Sequence, residues 1–177
     1  DYIINLGPLY VPIMMFVIIG TVNAVNLTDG LDGLASGITL IVSIFFMLLA
    51  ISVGNSDVAI LAAATGGACL GFLGFNSYPA KVFMGDTGSM ALGGAVVSFA
   101  VLTNSVLLIP IVGGIYFAEA ISVIIQVTSF RLTGKRVFKM APIHHHFEQC
   151  GWPETRVVFV FWIATVVLAW IGIIAVF

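Results

Sequence analysis

Charged residues are scarce in this sequence of 177 residues. Asp, Glu, Lys and Arg make up only 8% of the side chains, whereas 60% are hydrophobic and the mean hydropathy is +1.18. A soluble domain carries about 25% charged residues, so composition excludes a water-soluble globular protein. The formal net charge of -2 is too small to predict a nucleic-acid partner.

Cysteine is also scarce. Cys69 lies in an apolar run and Cys150 in a polar stretch, so the sequence predicts no disulfide framework. No signal-peptide pattern precedes the first apolar run. Because the first residue is Asp1 rather than Met, we expect the sequence to be part of a longer chain.

Long apolar runs are abundant, and they predict six transmembrane helices. Apolar windows of about 18 residues or more are long enough to cross a bilayer as helices, and lipid excludes open strands. The predicted spans are residues 9–25, 34–53, 58–75, 90–102, 106–128 and 157–177. The predicted fold class is therefore all-α, with one polytopic membrane domain over residues 1–177. Pro110, Gly113 and Gly114 predict a bend near the start of span five.

The basic residues predict the orientation in the membrane. All six cations lie in the linkers 76–89 and 131–156, namely Lys81, Arg131, Lys135, Arg136, Lys139 and Arg156. Alternating spans place these two linkers on the same side as the linker 26–33. The positive-inside rule predicts that this side is cytoplasmic, which places Phe177 outside.

The linker 26–33, with the sequence NLTDGLDG, carries two acids between two apolar spans. Asp29 and Asp32 are three residues apart and would share a face on a helical turn. Two such carboxylates repel each other unless a cation lies between them, and Mg²⁺ prefers oxygen ligands. The alternative is a polar turn in which an Asp caps a helix.

The linker 76–89 ends in a glycine-rich turn at the start of span four. Gly85, Gly88 and the hydroxyl of Ser89 favour phosphate binding at a helix N-terminus, where Asp86 could hold a metal. Alternatively, Asp86 or Ser89 caps the helix. Phe83 could stack on a flat ring or anchor the linker in the membrane interface.

A third polar group combines a histidine run with an intramembrane acid. Successive side chains diverge on an extended chain, so His144, His145 and His146 are not expected to chelate one metal together. Imidazoles can bind pyrophosphate or orient a carboxylate, and the alternative is a solvated polar loop. Glu119 lies near the middle of span five, where an ionisable residue is functional by default. We expect it to be protonated, or paired with a helix outside this sequence.

Three segments together resemble one family of membrane enzymes. Segments 23–35 (NAVNLTDGLDGLA) and 83–89 (FMGDTGS) resemble the polyprenyl-phosphate N-acetylhexosamine-1-phosphate transferases. Segment 141–148 (APIHHHFE) resembles the branch that acts on MurNAc-pentapeptide. The resemblance covers the whole sequence but only the second half of the family's ten-helix fold. The family's adjacent Asp pair and substrate lysine belong to earlier loops, so we expect these residues alone to be inactive.

The resemblance implies transfer of phospho-MurNAc-pentapeptide from UDP-MurNAc-pentapeptide to undecaprenyl phosphate in the bacterial inner membrane. The products would be lipid I and UMP, in peptidoglycan synthesis, and homodimers are left open. The implied cofactor is Mg²⁺, bound by Asp86. The implied catalytic residues are Asp29, Asp32, Asp86 and His144. The implied substrate-binding residues are Asn26, Asn76, Phe83 (stacked on uracil), Ser89, Gln126, His145 and His146.

Two other functions compete with this interpretation. A polyprenyl-phosphate GlcNAc-1-phosphate transferase would share the first two segments but differ in the histidine-bearing loop. A transporter would need ionisable groups near the bilayer midplane, usually with internal repeats. Glu119 alone meets that requirement, so the sequence favours an enzyme.

Overall fold

The computed structural model describes residues 7–176, and over that range it contains helices and turns but no strand. The eight α-helices of this range are α1 (Tyr10–Thr28), α2 (Leu34–Ser52), α3 (Ser56–Asn76), α4 (Gly85–Leu102), α5 (Ile109–Val112), α6 (Gly114–Thr133), α7 (Ile143–Gln149) and α8 (Glu154–Val176). Six of them are long and apolar enough to cross a membrane, which confirms the predicted all-α polytopic fold. The predictions for Asp1 and Phe177 fall outside the described residues.

Several helices extend beyond the apolar windows that predicted them. Helix α1 continues to Thr28 rather than ending at 25, and α4 begins at Gly85 rather than at 90. Hydropathy marks where a helix leaves lipid, whereas backbone hydrogen bonding continues into the polar zone. As a result, Asp86 and Ser89 lie in the first turns of α4 and not in the preceding linker.

Span five is interrupted where the sequence predicts a bend, and this prediction is confirmed. A short 3₁₀ turn (Val106–Leu108) leads into α5, which ends at Val112, and Gly113 separates it from α6. A Cβ added at Gly113 would lie 2.8 Å from the Ile109 carbonyl oxygen, so a larger residue does not fit this break. Pro110 adds rigidity because its ring fixes the backbone φ angle.

The core of the bundle is built around α2, which packs against α3 and α8. Phe46 is fully buried and contacts the rings of Phe45 and Phe99 at centroid distances of 5.3 and 6.2 Å. Helices α1 and α4 form a second close pair, in which a Cβ added at Gly93 would lie 2.7 Å from the Val22 Cα. Small residues permit such close approach between membrane helices. This pairing brings the C-terminal end of α1 beside the N-terminal end of α4.

Hydrogen bonds between linkers define the two ends of the bundle. At one end, the Asp32 N–H donates to Glu154 Oε1 (2.7 Å) and the Ala80 N–H donates to Asp32 Oδ2 (2.8 Å). At the other end, Asn55 Nδ2 donates to the Leu102 carbonyl (3.2 Å). The three linkers that carry the predicted site residues therefore meet at one end, as the alternating threading requires.

Candidate active site

A cavity of about 220 Å³ lies between the C-terminal end of α1 and the N-terminal end of α4. Six of the predicted site residues line it: Asn26, Asp29, Asp32, Asn76, Phe83 and Asp86. These residues come from positions up to 60 apart in the sequence, and the packing of α1 on α4 brings them together.

Asn26 connects the two helices that flank the cavity. Its Nδ2 donates to Asp86 Oδ1 (3.1 Å) and to Ser89 Oγ (2.9 Å), and Ser89 is fully buried. Helix α4 has no side-chain cap hydrogen bond, so the alternative in which Asp86 or Ser89 caps this helix is wrong. The first backbone N–H groups of a helix have no intrahelical partner. Those of α4 therefore provide donors for an anion.

The carboxylates of Asp29 and Asp86 repel each other in the cavity when both are ionised. Burial and, to a lesser extent, the negative charge of Asp86 together raise the pKa of Asp29 from 3.8 to about 6. Asp32 differs because its Oδ2 accepts the hydrogen bond from Ala80, so its carboxylate fastens two linkers together. Residues 29–33 form a turn rather than the expected helical turn.

The donor set fits a magnesium ion that is shared with a phosphate ligand. Within residues 7–176, no group of three or more His, Cys, Asp or Glu side chains is arranged to hold a metal. Mg²⁺ is usually bound through one or two carboxylates, with waters and substrate phosphates completing its coordination. Asp86 and Asp29, which face the same cavity, match that requirement.

Phe83 and Asn76 also line the cavity. The Phe83 ring is 76% exposed at the edge of the cavity. Asn76 is buried, and its Oδ1 accepts from the Gly33 N–H (3.1 Å) and Ser36 Oγ (3.0 Å). Its Nδ2 donates to the Val82 carbonyl (3.0 Å) and so holds the linker that carries Phe83. Direct contact between Asn76 and a ligand stays a prediction.

The histidine run lies on the short helix α7, so the extended conformation expected for it is wrong. His144 is fully buried, so the solvated-loop alternative is also wrong for this residue. His144 Nδ1 lies 3.1 Å from Glu119 Oε1. Glu119 therefore lies beside a histidine of this chain, and the two expected alternatives, a protonated carboxyl or a partner helix outside this sequence, stay predictions.

His146 and Gln126 contact the linker that precedes α7, whereas His145 contacts Glu148 within α7. His145 Nδ1 lies 2.7 Å from Glu148 Oε2, and His146 Nδ1 accepts the Lys139 N–H (3.1 Å). Gln126 Oε1 accepts the N–H groups of residues 137 and 138, and its Nε2 donates to the carbonyl of residue 138 (2.9 Å). None of these three side chains lines the cavity at α4, and their contact with substrate stays a prediction.

Sequence reasoning missed the role of Glu154. Its Oε1 accepts the Asp32 N–H, and this bond holds the acidic turn against the first turn of α8. The available signal was an acid directly after Pro153 at the start of the last span, a common arrangement at helix N-termini. That signal identifies where the helix starts, but it does not reveal that Glu154 accepts a hydrogen bond from the distant backbone N–H of Asp32.

The fold and the cavity define a polytopic membrane protein with an acidic cavity at one end of its helical bundle. The sequence model of Glycosyl transferase family 4 matches residues 1–104, and the chain belongs to this family. This result confirms the class that the three segments predicted.

Curated relatives make the resemblance more specific. A protein of Clostridioides difficile named phospho-N-acetylmuramoyl-pentapeptide-transferase is 80% identical over all of this chain and 55% of its own length. Proteins with the same name are 66% identical in Alkaliphilus metalliredigens, over 97% of this chain and 52% of theirs, and 57% identical in Acetivibrio thermocellus, over 99% and 53%. The chain thus spans about half the length of the curated relatives it matches.

Proposed function

We propose that the full-length protein transfers phospho-MurNAc-pentapeptide from UDP-MurNAc-pentapeptide to undecaprenyl phosphate, giving lipid I and UMP for peptidoglycan synthesis. The observation that carries this proposal is the cavity in which Asp29 and Asp86 approach each other beside the uncapped N-terminus of α4. The names of the relatives support the choice of substrates.

The residues of the cavity suggest how the nucleotide sugar would lie. The exposed ring of Phe83 can stack on uracil, as aromatic side chains do with bases in other proteins. The diphosphate would then reach the free N–H groups at the start of α4. Asn26 would keep the carboxylate of Asp86 at the bottom of that site through its amide.

A magnesium ion would be held by the carboxylate of Asp86, with Asp29 near it. Bound there, Mg²⁺ would neutralise phosphate charge, as it does in other phosphoryl transfers. The ion would also remove the disadvantage of having two carboxylates in one partly buried cavity.

In the proposed reaction, an oxygen of undecaprenyl phosphate attacks the phosphorus bonded to the sugar. The bond between that phosphorus and the oxygen bridging to UMP breaks, and UMP leaves with this oxygen. A phosphate monoester has a second pKa of about 6 and is already largely dianionic at neutral pH, so no strong base is needed. The chief task of the protein is to hold two anions together, which helix N-termini and positioned donors can do.

The location of the cavity agrees with one lipid-soluble and one water-soluble substrate. It lies at the end of the bundle that carries all the cations, which the positive-inside rule assigns to the cytoplasm. A nucleotide sugar would enter there from the cytoplasm, while the prenyl chain of the carrier stays among the exposed apolar side chains in the bilayer. We therefore propose a bacterial inner-membrane enzyme with a cytoplasmic active site.

UMP release by purified full-length protein with undecaprenyl phosphate tests this proposal. We expect release with UDP-MurNAc-pentapeptide, loss of release in chelator, and recovery with Mg²⁺. UDP-GlcNAc is the matched control for the competing GlcNAc-1-phosphate transferase activity. UMP release from UDP-GlcNAc but not from UDP-MurNAc-pentapeptide would replace the proposed function with that alternative.

A further inference from the structure

Glu119 and His144 form a pair that is excluded from solvent. Glu119 lies in the second turn of α6 and His144 in the first turn of α7, and both side chains are completely buried. Their Oε1 and Nδ1 atoms are 3.1 Å apart, which is within ion-pair distance, although the two groups are not aligned for a hydrogen bond. An ionisable side chain within a membrane helix is costly without such a partner.

The other edge of the His144 ring faces the cavity wall. A Cβ added at Gly30 would collide with His144 Nε2 and would lie 2.7 Å from Cε1. Gly30 itself lines the cavity and directly follows Asp29 in the acidic turn. Among the described residues, the buried Nε2 has no hydrogen-bond partner. An unpaired polar nitrogen therefore lies directly behind the turn that carries Asp29.

Helix α6 holds α7 in this place at two points on one face. Gln126 follows Glu119 by seven residues, so both side chains lie on the same side of the helix. Gln126 binds the backbone of residues 137 and 138 in the linker, and Glu119 contacts His144 itself. The linker is thus folded back along α6 before α7 begins.

We propose that Glu119 is a positioning residue that acts through His144. Its carboxylate accepts a hydrogen bond from the Nδ1–H of the imidazole. This bond fixes the ring so that Nε2 points towards the acidic turn. A hydrogen bond at one ring nitrogen determines the state and direction of the other. The inference rests on the proposed function, because it assigns His144 a part in that reaction at the phosphate end of the cavity.

A double-mutant cycle in the full-length protein tests this inference. In other proteins, replacing a carboxylate that orients a metal-ligating imidazole lowers activity about 10–100-fold. We expect Glu119→Leu to lower kcat about tenfold, at the low end of that range, and to leave the KM for UDP-MurNAc-pentapeptide within about twofold. Glu119→Gln retains an acceptor oxygen and should keep kcat within about threefold of wild type. In a His144→Ala background, Glu119→Leu should cause no further loss.

A matched control comes from the preceding turn of α6. Tyr116 is also buried, but its hydroxyl bonds Thr39 (2.7 Å) and not His144. Tyr116→Phe should change kcat by the same factor with and without His144. If Glu119→Leu does not yield folded protein, Glu119→Asp shortens the same carboxylate and replaces it in the cycle.

The outcomes separate the inference from the proposed function. Equal losses for the Glu119 variant in both backgrounds, or equal activity of the Leu and Gln variants, would overturn the positioning role. A wild-type protein that releases no UMP from UDP-MurNAc-pentapeptide would overturn both the proposed function and this inference.

Discussion

Phe83 offers a sharp test of how the cavity would bind a nucleotide. The ring is 76% exposed and lies at the cavity edge, so replacing it removes little packing from the folded protein. Stacking of a base on an aromatic ring is worth about 1–3 kcal/mol. Since about 1.4 kcal/mol is a factor of ten in affinity, Phe83→Ala should weaken UDP-sugar binding about 5- to 150-fold.

Calorimetric titration of UDP-MurNAc-pentapeptide into the full-length protein, together with KM measurements, would give this factor. Phe83→Trp should bind better than Phe83→Leu, because Leu keeps apolar bulk but has no ring. The matched control is Tyr78→Ala, which removes another exposed aromatic of the same linker that does not line the cavity. If Leu and Trp variants bind alike while both remain folded, Phe83 is an interface anchor and the stacking argument is wrong.

Three further predictions concern the acids and the orientation in the membrane. Asp86→Asn should abolish turnover but leave the melting temperature nearly unchanged, and activity within about threefold of wild type at saturating Mg²⁺ would remove Asp86 from the mechanism. Because the folded state raises the pKa of Asp29 to about 6, its contribution to stability is present below pH 3.8 and is lost as pH rises through about 6. In chelator, Asp29→Asn should therefore melt at increasingly higher temperature than wild type as the pH is raised from about 4.5 to 7, and a pH-independent difference would contradict this. Cys150 is exposed beside the histidine helix, so a membrane-impermeant thiol reagent should label it in permeabilised cells but not in intact ones.

The features that could be predicted from the sequence depend on composition or on local backbone chemistry. The six spans follow from the length of the apolar runs. The bend in span five follows from Pro110, which restricts the backbone locally, and from Gly113, which leaves it free. The grouping of Asp29 and Asp86 followed from topology, because alternating spans and the cations place their linkers on one side.

The remaining features depend on distant contacts that leave no local pattern. The pairing of Glu119 with His144 spans 25 positions and requires the linker to fold back along α6, which no periodicity indicates. Helix α7 has seven residues, too few for a periodic apolar face to distinguish it from a loop. The hydrogen bonds of Asn76 join three segments of the chain, and only the assembled fold provides their acceptors and donors.

A structure of the full-length protein with UDP-MurNAc-pentapeptide and Mn²⁺ in place of Mg²⁺ would test the central claim most directly. The account predicts an anomalous Mn²⁺ peak within about 2.5 Å of the Asp86 carboxylate. It also predicts the diphosphate at the N-terminus of α4 and the uracil on Phe83. A nucleotide bound outside the cavity lined by Asn26, Asp29 and Asp86, or a metal held by other residues, would contradict it.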